Sequence, residues 1–153
     1  MPDEVMSKEQ LLQGLADAHE RLIAAALAAA QRGFVDNDGW GPRAIVAHLA
    51  GWETMAQYRV PRVAAGMPPL EFADEAQNEV MNEAINAAFA ALVGDQPLEA
   101  VCGILRQAYQ GDVAMLGKLD DGVFHPGEYV YERTKSAIEH CQEHIDALEL
   151  GQA

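Results

Sequence analysis

Apolar residues recur every three or four positions along most of this 153-residue chain, the spacing of helices that bury one face. The pattern predicts a first helix over Ser7–Gln31, with Leu11, Leu12, Leu15, Leu22 and Ile23 on one stripe. Ser7 and Gln10 have the form of a capping box, and Gly33 stands where helices commonly stop. Residues 34–39, with Asp36, Asn37 and Asp38, read as a loop. A second helix should open at Pro42, whose missing N–H is harmless at a first helical position. It buries Ile45, Leu49, Trp52 and Ala56. Pro61 should kink or interrupt it, and Gly66-Met67-Pro68-Pro69 should end it. Asp74 can cap a segment running to Leu92, with Val80, Met81, Ala84, Ile85, Ala88, Phe89 and Leu92 spaced for one face. After Gly94-Asp95-Gln96-Pro97, a further helix should run from Pro97 to Lys118 on Leu98, Val101, Cys102, Leu105, Ala108 and Tyr109. Asp120 to Gly127 reads as a loop and Tyr129–Tyr131 as a lead-in turn. The last helix should span Arg133–Leu150, with Thr134, Ile138, Cys141, Ile145 and Leu148 on its core stripe.

No stretch alternates apolar and polar residues long enough for a sheet, Ala is frequent, and Val, Ile and Thr are sparse. The expected fold is all-α: an antiparallel four-helix bundle, with an additional short helix in the connection between its second and third helices. One domain should span residues 1–153. The segment Met67 to Leu92 is longer than a minimal bundle connection and suits a lid or a dimer contact. With 24 acidic and 10 basic residues the net charge is −14, which opposes binding to nucleic acid or to an anionic membrane. Met1 to Gln10 has two acids before its first base and no apolar stretch, so no signal peptide is expected there. No segment has the apolar length of a membrane span, and the cytoplasm is the expected location. The two cysteines, Cys102 and Cys141, form no CxxC or secreted disulfide pattern.

The candidate chemistry lies in histidines. His140 and His144 are four apart, so on a helix they project from one side and can reach one ion. His48 falls between Ile45 and Trp52 and points toward the buried side of the second helix. Three imidazoles from two helices leave a coordination position open, the layout of a catalytic divalent-metal site. Neutral imidazole suits zinc, nickel or iron(II). His19 and His125 match no motif and are expected at the surface or in a loop. Glu53 and Glu143 can accept the outer ring N–H of a ligating histidine, or can be solvated acids. Trp40 and Trp52 can line a pocket mouth, although Trp52 suits the core better. Tyr58, Tyr129 and Tyr131 can supply a phenol near a substrate. Met55, Met81 and Met115 are expected as core filler. No Ser/His/Asp order, phosphate-binding glycine loop or nucleotide fingerprint is present, and no catalytic residue is assigned.

The stretch Trp40-Gly41-Pro42-Arg43-Ala44-Ile45-Val46-Ala47-His48-Leu49-Ala50-Gly51-Trp52-Glu53 resembles the second-helix signature of DinB-like proteins. Glu139-His140-Cys141-Gln142-Glu143-His144-Ile145 is similar to that family's C-terminal "H..EH" helix. The chain departs from the pattern with Cys141 where an aromatic is frequent, and with Gly41-Pro42 where a capping Ser or Thr is frequent. The resemblance implies a four-helix bundle, often a homodimer, with a divalent metal on His48, His140 and His144. It also implies either of two roles. One is a metal-dependent transferase or hydrolase acting on a small electrophile, with a low-molecular-weight thiol. The other is a non-catalytic binding or stress-protection module like the ClbS/DfsB branch, with the metal structural or absent.

Overall fold

The computed structural model describes residues 4–71 and 74–150. Residues 1–3 of the N-terminal stretch, 72–73 of the Met67–Leu92 segment and the last three residues of the expected domain lie outside the described residues. The described residues are all-helical, a helical bundle without strands: α1 Lys8–Gln31, α2 Pro42–Ala64, α3 Glu75–Val93, α4 Leu98–Gly117 and α5 Tyr129–Leu150, with one 3₁₀ turn at Asp121–Val123. Among them no helix is long and apolar enough to cross a membrane.

Local chemistry sets the helix ends. Ser7 Oγ accepts from Gln10 N–H at 3.1 Å, and Gln10 Oε1 accepts from Ser7 N–H at 2.7 Å, the expected capping box. At the other end of α1, Gly33 takes φ +68°, while Gly33 N–H and Phe34 N–H turn back to the carbonyls of Ala30 and Ala29. This is the Schellman arrangement, and the residue after the glycine, Phe34, is buried as the motif favours. Asp74 caps α3 through the N–H groups of Ala76 and Gln77.

Four expectations are corrected. Pro61 does not interrupt α2, which passes through it and stops one turn later; the proline forfeits one hydrogen bond to the carbonyl four residues back, and buried Val60 holds the chain in the core. The helix of the connection is not short: α3 is 19 residues long. Its apolar face does not enter the core either. Val93 is its one buried residue, while Val80 is 68% and Leu92 78% exposed, because α3 packs chiefly on α2. Finally, Tyr129–Tyr131 belong to α5 and are not a lead-in turn. Glu132 reaches back to accept Gly127 N–H at 2.7 Å and so braces that start.

α2 packs most closely on α4, and α1 on α5. The core between them is layered. One apolar cluster joins Leu22 and Ile23 of α1, Ile45 and Leu49 of α2, Val101 and Leu105 of α4, and Ile145 and Leu148 of α5. A second joins Leu11 and Leu15, Val60, Leu116 and Val130 with Tyr131. Between them in sequence, each of these four helices contributes one buried polar residue: His19, Glu53, Asp112 and Thr134. Along α1 and α5 the numbering rises from the second cluster to the first; along α2 and α4 it rises from the first to the second.

Candidate metal centre

α2 and α5 bring the three expected histidines together. Their ligand nitrogens all lie within 4.8 Å of one another, and all three side chains are half-buried. His140 Nε2 is 3.0 Å from His48 Nε2 and 3.3 Å from His144 Nε2. Trp40, held by Asp36 Oδ1 accepting its backbone N–H at 2.7 Å, packs edge-on against His48 with ring centroids 5.2 Å apart.

The hydrogen bonds fix which nitrogen of His48 carries the proton. Asn86 of α3 presents Oδ1 to both Trp52 Nε1, at 2.8 Å, and His48 Nδ1, at 2.9 Å. An indole N–H can only donate, so the Asn86 atom is an acceptor. His48 Nδ1 is then the N–H, and Nε2 is a lone pair aimed at His140. Ligating histidines are commonly oriented through the outer ring N–H in this way. Burial lowers the pKa of His48 to about 4, against the Asn86 hydrogen bond and helped by the charge of His140. Burial, with the charges of His140 and His48, also lowers that of His144 to about 4. Both are neutral at pH 7, the form that binds metal.

The three nitrogens fit an ion better than they fit one another. A proton on His140 Nε2 can point well at one neighbour and leaves the other lone pair poorly served. A cation among them satisfies all three. In a tetrahedral site with metal–nitrogen bonds of about 2.0–2.1 Å, ligand nitrogens sit about 3.3 Å apart, close to the spacings here. The group can therefore hold a metal ion.

His48 and His140 also line a cavity of about 660 Å³ between α2, α3 and the start of α5. Trp52, expected in the core, lines it instead, as do Met55 and Met81, expected as filler. Met115 packs at the second apolar cluster as expected. Tyr129 also lines the cavity, Tyr58 is exposed, and the hydroxyl of buried Tyr131 accepts Met6 N–H at 3.2 Å.

His19 corrects the reading from motifs. It is fully buried, whereas His125 is exposed as expected. His19 Nδ1–H donates to Leu15 O at 2.7 Å, its ring stacks on Tyr109 with centroids 5.1 Å apart, and Nε2 lies 3.5 Å from both Cys141 Sγ and Glu53 Oε1. Burial alone would lower its pKa, but the hydrogen bonds to Cys141 and Glu53 and the charge of Glu53 raise it to about 10. Glu53 is neither a solvated acid nor a partner of the three clustered histidines. It is buried against Arg133 Nη2 at 3.4 Å, and that charge, against the cost of burial, holds its carboxyl well below the usual range. Arg133 Nη1 also meets Asp112 Oδ2 at 2.8 Å. Burial, with the hydrogen bond and charge of Glu53, pushes Asp112 up to about 8. Its buried Oδ1 has no hydrogen-bond partner. Glu143 stays exposed, 3.6 Å from His140 Nδ1. Sequence reasoning missed Asn86, Arg133 and Asp112.

Compared with protein-family models, with curated proteins and with solved structures, the chain matches none.

Proposed function

We propose that this chain is a DinB-like antiparallel four-helix bundle, in which α1 and α5 run one way and α2 and α4 the other. In this reading α3 is the crossover that returns the chain from α2 to a parallel α4. The opposite order of the two apolar clusters along the helix pairs supports it. Its function is that of a metal-dependent transferase or hydrolase acting on a small electrophile, with a low-molecular-weight thiol as cosubstrate. A homodimer is part of the same proposal.

The observation that carries the reading is the convergence of His48, His140 and His144 beside an open cavity. His48, His140 and His144 would hold a divalent ion, zinc, nickel or iron, which when bound would lower the pKa of a water or thiol and so supply a nucleophile at neutral pH. The chain's own residues do the rest. Asn86 keeps the His48 lone pair turned toward His140, Trp40 and Trp52 pack edge-on against its ring, and the apolar part of the cavity wall suits the body of the electrophile.

The test is elemental analysis of protein made without a histidine tag, beside the His140→Ala/His144→Ala double variant. Near-stoichiometric metal in the first and none in the second is expected, followed by turnover of a model electrophile with at least one of several thiols. No metal after reconstitution at neutral pH would overturn the site. Metal without turnover would leave the ClbS-like sequestering role.

A further inference from the structure

The cavity beside the histidines has a wall that the metal does not use. Arg59 and Arg133 both line it, two of only ten cationic side chains in a chain of net charge −14. Arg133 is engaged by Asp112 and Glu53. The guanidinium of Arg59 lies over the Trp52 ring, 5.3 Å from its centroid, and its Nε is buried without a hydrogen-bond partner. The ring face holds the cation in place. A buried donor without an acceptor is unfavourable, and an anion that draws the guanidinium toward the cavity supplies one. Three carboxylates share the lining. Glu53 is committed to Arg133 and His19, Glu132 accepts Gly127 N–H, and Glu71 is exposed. None of these contacts involves Arg59.

Trp52 links the two ends of the cavity. Its ring centroid is 6.3 Å from that of His48, and Arg59 lies over the same ring. Much of the remaining wall is apolar, including Leu49, Met55, Val60 and Met81. The volume, about 660 Å³, lies within the range of small-molecule sites.

We propose that Arg59 is an anion subsite, and that the cavity takes a small organic carboxylate with an apolar body. The acid sits on Arg59 and the other end turns toward the histidines. A guanidinium suits a carboxylate because its planar fork matches the two oxygens. This deepens the functional reading above and rests on that reading's choice of the cavity as the substrate site.

The probes are 4-phenylbutyrate and its neutral amide. They are titrated into the full chain, zinc-loaded and chelator-treated, by calorimetry and by amide chemical shifts. The acid should bind at least tenfold more tightly than the amide in both forms and shift signals along residues 52–60. Arg59→Gln should reduce the acid to the affinity of the amide while leaving amide binding unchanged, which also shows the variant is folded. Arg59→Lys should recover part of the loss. Equal binding of acid and amide, or binding of neither, overturns the subsite. A preference that vanishes with the metal but survives Arg59→Gln also overturns it, and leaves the metal reading standing. A chain that takes no zinc, yet loses its acid preference in Arg59→Gln, keeps the subsite and ends the metal reading.

Discussion

Asp112 and Glu53 are two carboxyls beside one guanidinium, and the proton that Asp112 keeps has a pH signature. Its folded pKa, about 8, lies above its ordinary 3.8. Between roughly pH 4 and 8 the unfolded chain ionises this group and the folded chain does not, so folding loses stability as pH rises, by at most about 1.4 kcal/mol per unit. His19 acts in the same direction over a higher window. Its folded pKa is raised to about 10 from 6.5, so its contribution is full below pH 6.5 and is lost as pH climbs through 10. Asp112→Asn imitates the protonated acid and removes only the first effect. Its stability relative to the parent should improve from pH 5 to pH 8 and then level off, measured by urea unfolding; a difference that stays constant over that range would refute the assignment. The sequence contains part of this network. His19 stands four residues after Leu15 and three before Leu22, and Asp112 stands three after Tyr109 and four before Leu116, so both lie on apolar stripes. Motif reasoning passed over them because neither belongs to a spaced set. The metal-site histidines were legible for the opposite reason: His140 and His144 announce themselves by spacing, and His48 by its place between Ile45 and Trp52. Asn86 was not legible, since its role depends on where a separate helix docks.

At the scale of elements, α3 shows what periodicity omits. The spacing of its apolar residues correctly predicts a helix capped by Asp74, but periodicity describes a face and not the neighbour that covers it. Here the neighbour is chiefly α2, and the contact is close. A Cβ added to Gly51 would fall 1.8 Å from Phe89 Cδ2, so the ring of α3 rests on the bare backbone of α2. In an open helix, Gly→Ala stabilises by about 1 kcal/mol; at Gly51 overpacking of about 1–3 kcal/mol opposes it, and Phe89 must leave. Gly51→Ala should therefore speed amide exchange across Glu75–Val93 at least tenfold while α4 stays protected. Phe89→Ala in the same chain should remove the clash. Unchanged protection of α3 in the single variant would show that the helix is not held there. The start of α5 was misread for a local reason: no Ser, Thr, Asn or Asp immediately precedes Tyr129, and the bracing comes from Glu132, inside the helix.

The molecule as a whole carries a charge of −14 and presents exposed Val80 and Leu92 on α3. If the proposed homodimer forms, like charges oppose it, and salt weakens that opposition: the screening length falls from about 10 Å at 0.1 M to about 3 Å at 1 M. Sedimentation velocity at micromolar concentration should show a larger dimer fraction at higher salt; a monomer at every salt concentration would remove the dimer. The layered core has a further consequence for the way the chain is made. His48 meets His140 across 92 positions of sequence, and Met6 meets Tyr131 across 125. At about 5–20 residues per second, the ribosome takes seconds to tens of seconds to get from the first ligand to the second, and for that time His48 has no partner to share an ion with. The three-histidine cluster exists only once the final helix has emerged, so the nascent chain selects no metal through it. If the cluster holds an ion, the choice of ion falls to the finished protein, in which Glu53 of α2 and Arg133 of α5 are already paired.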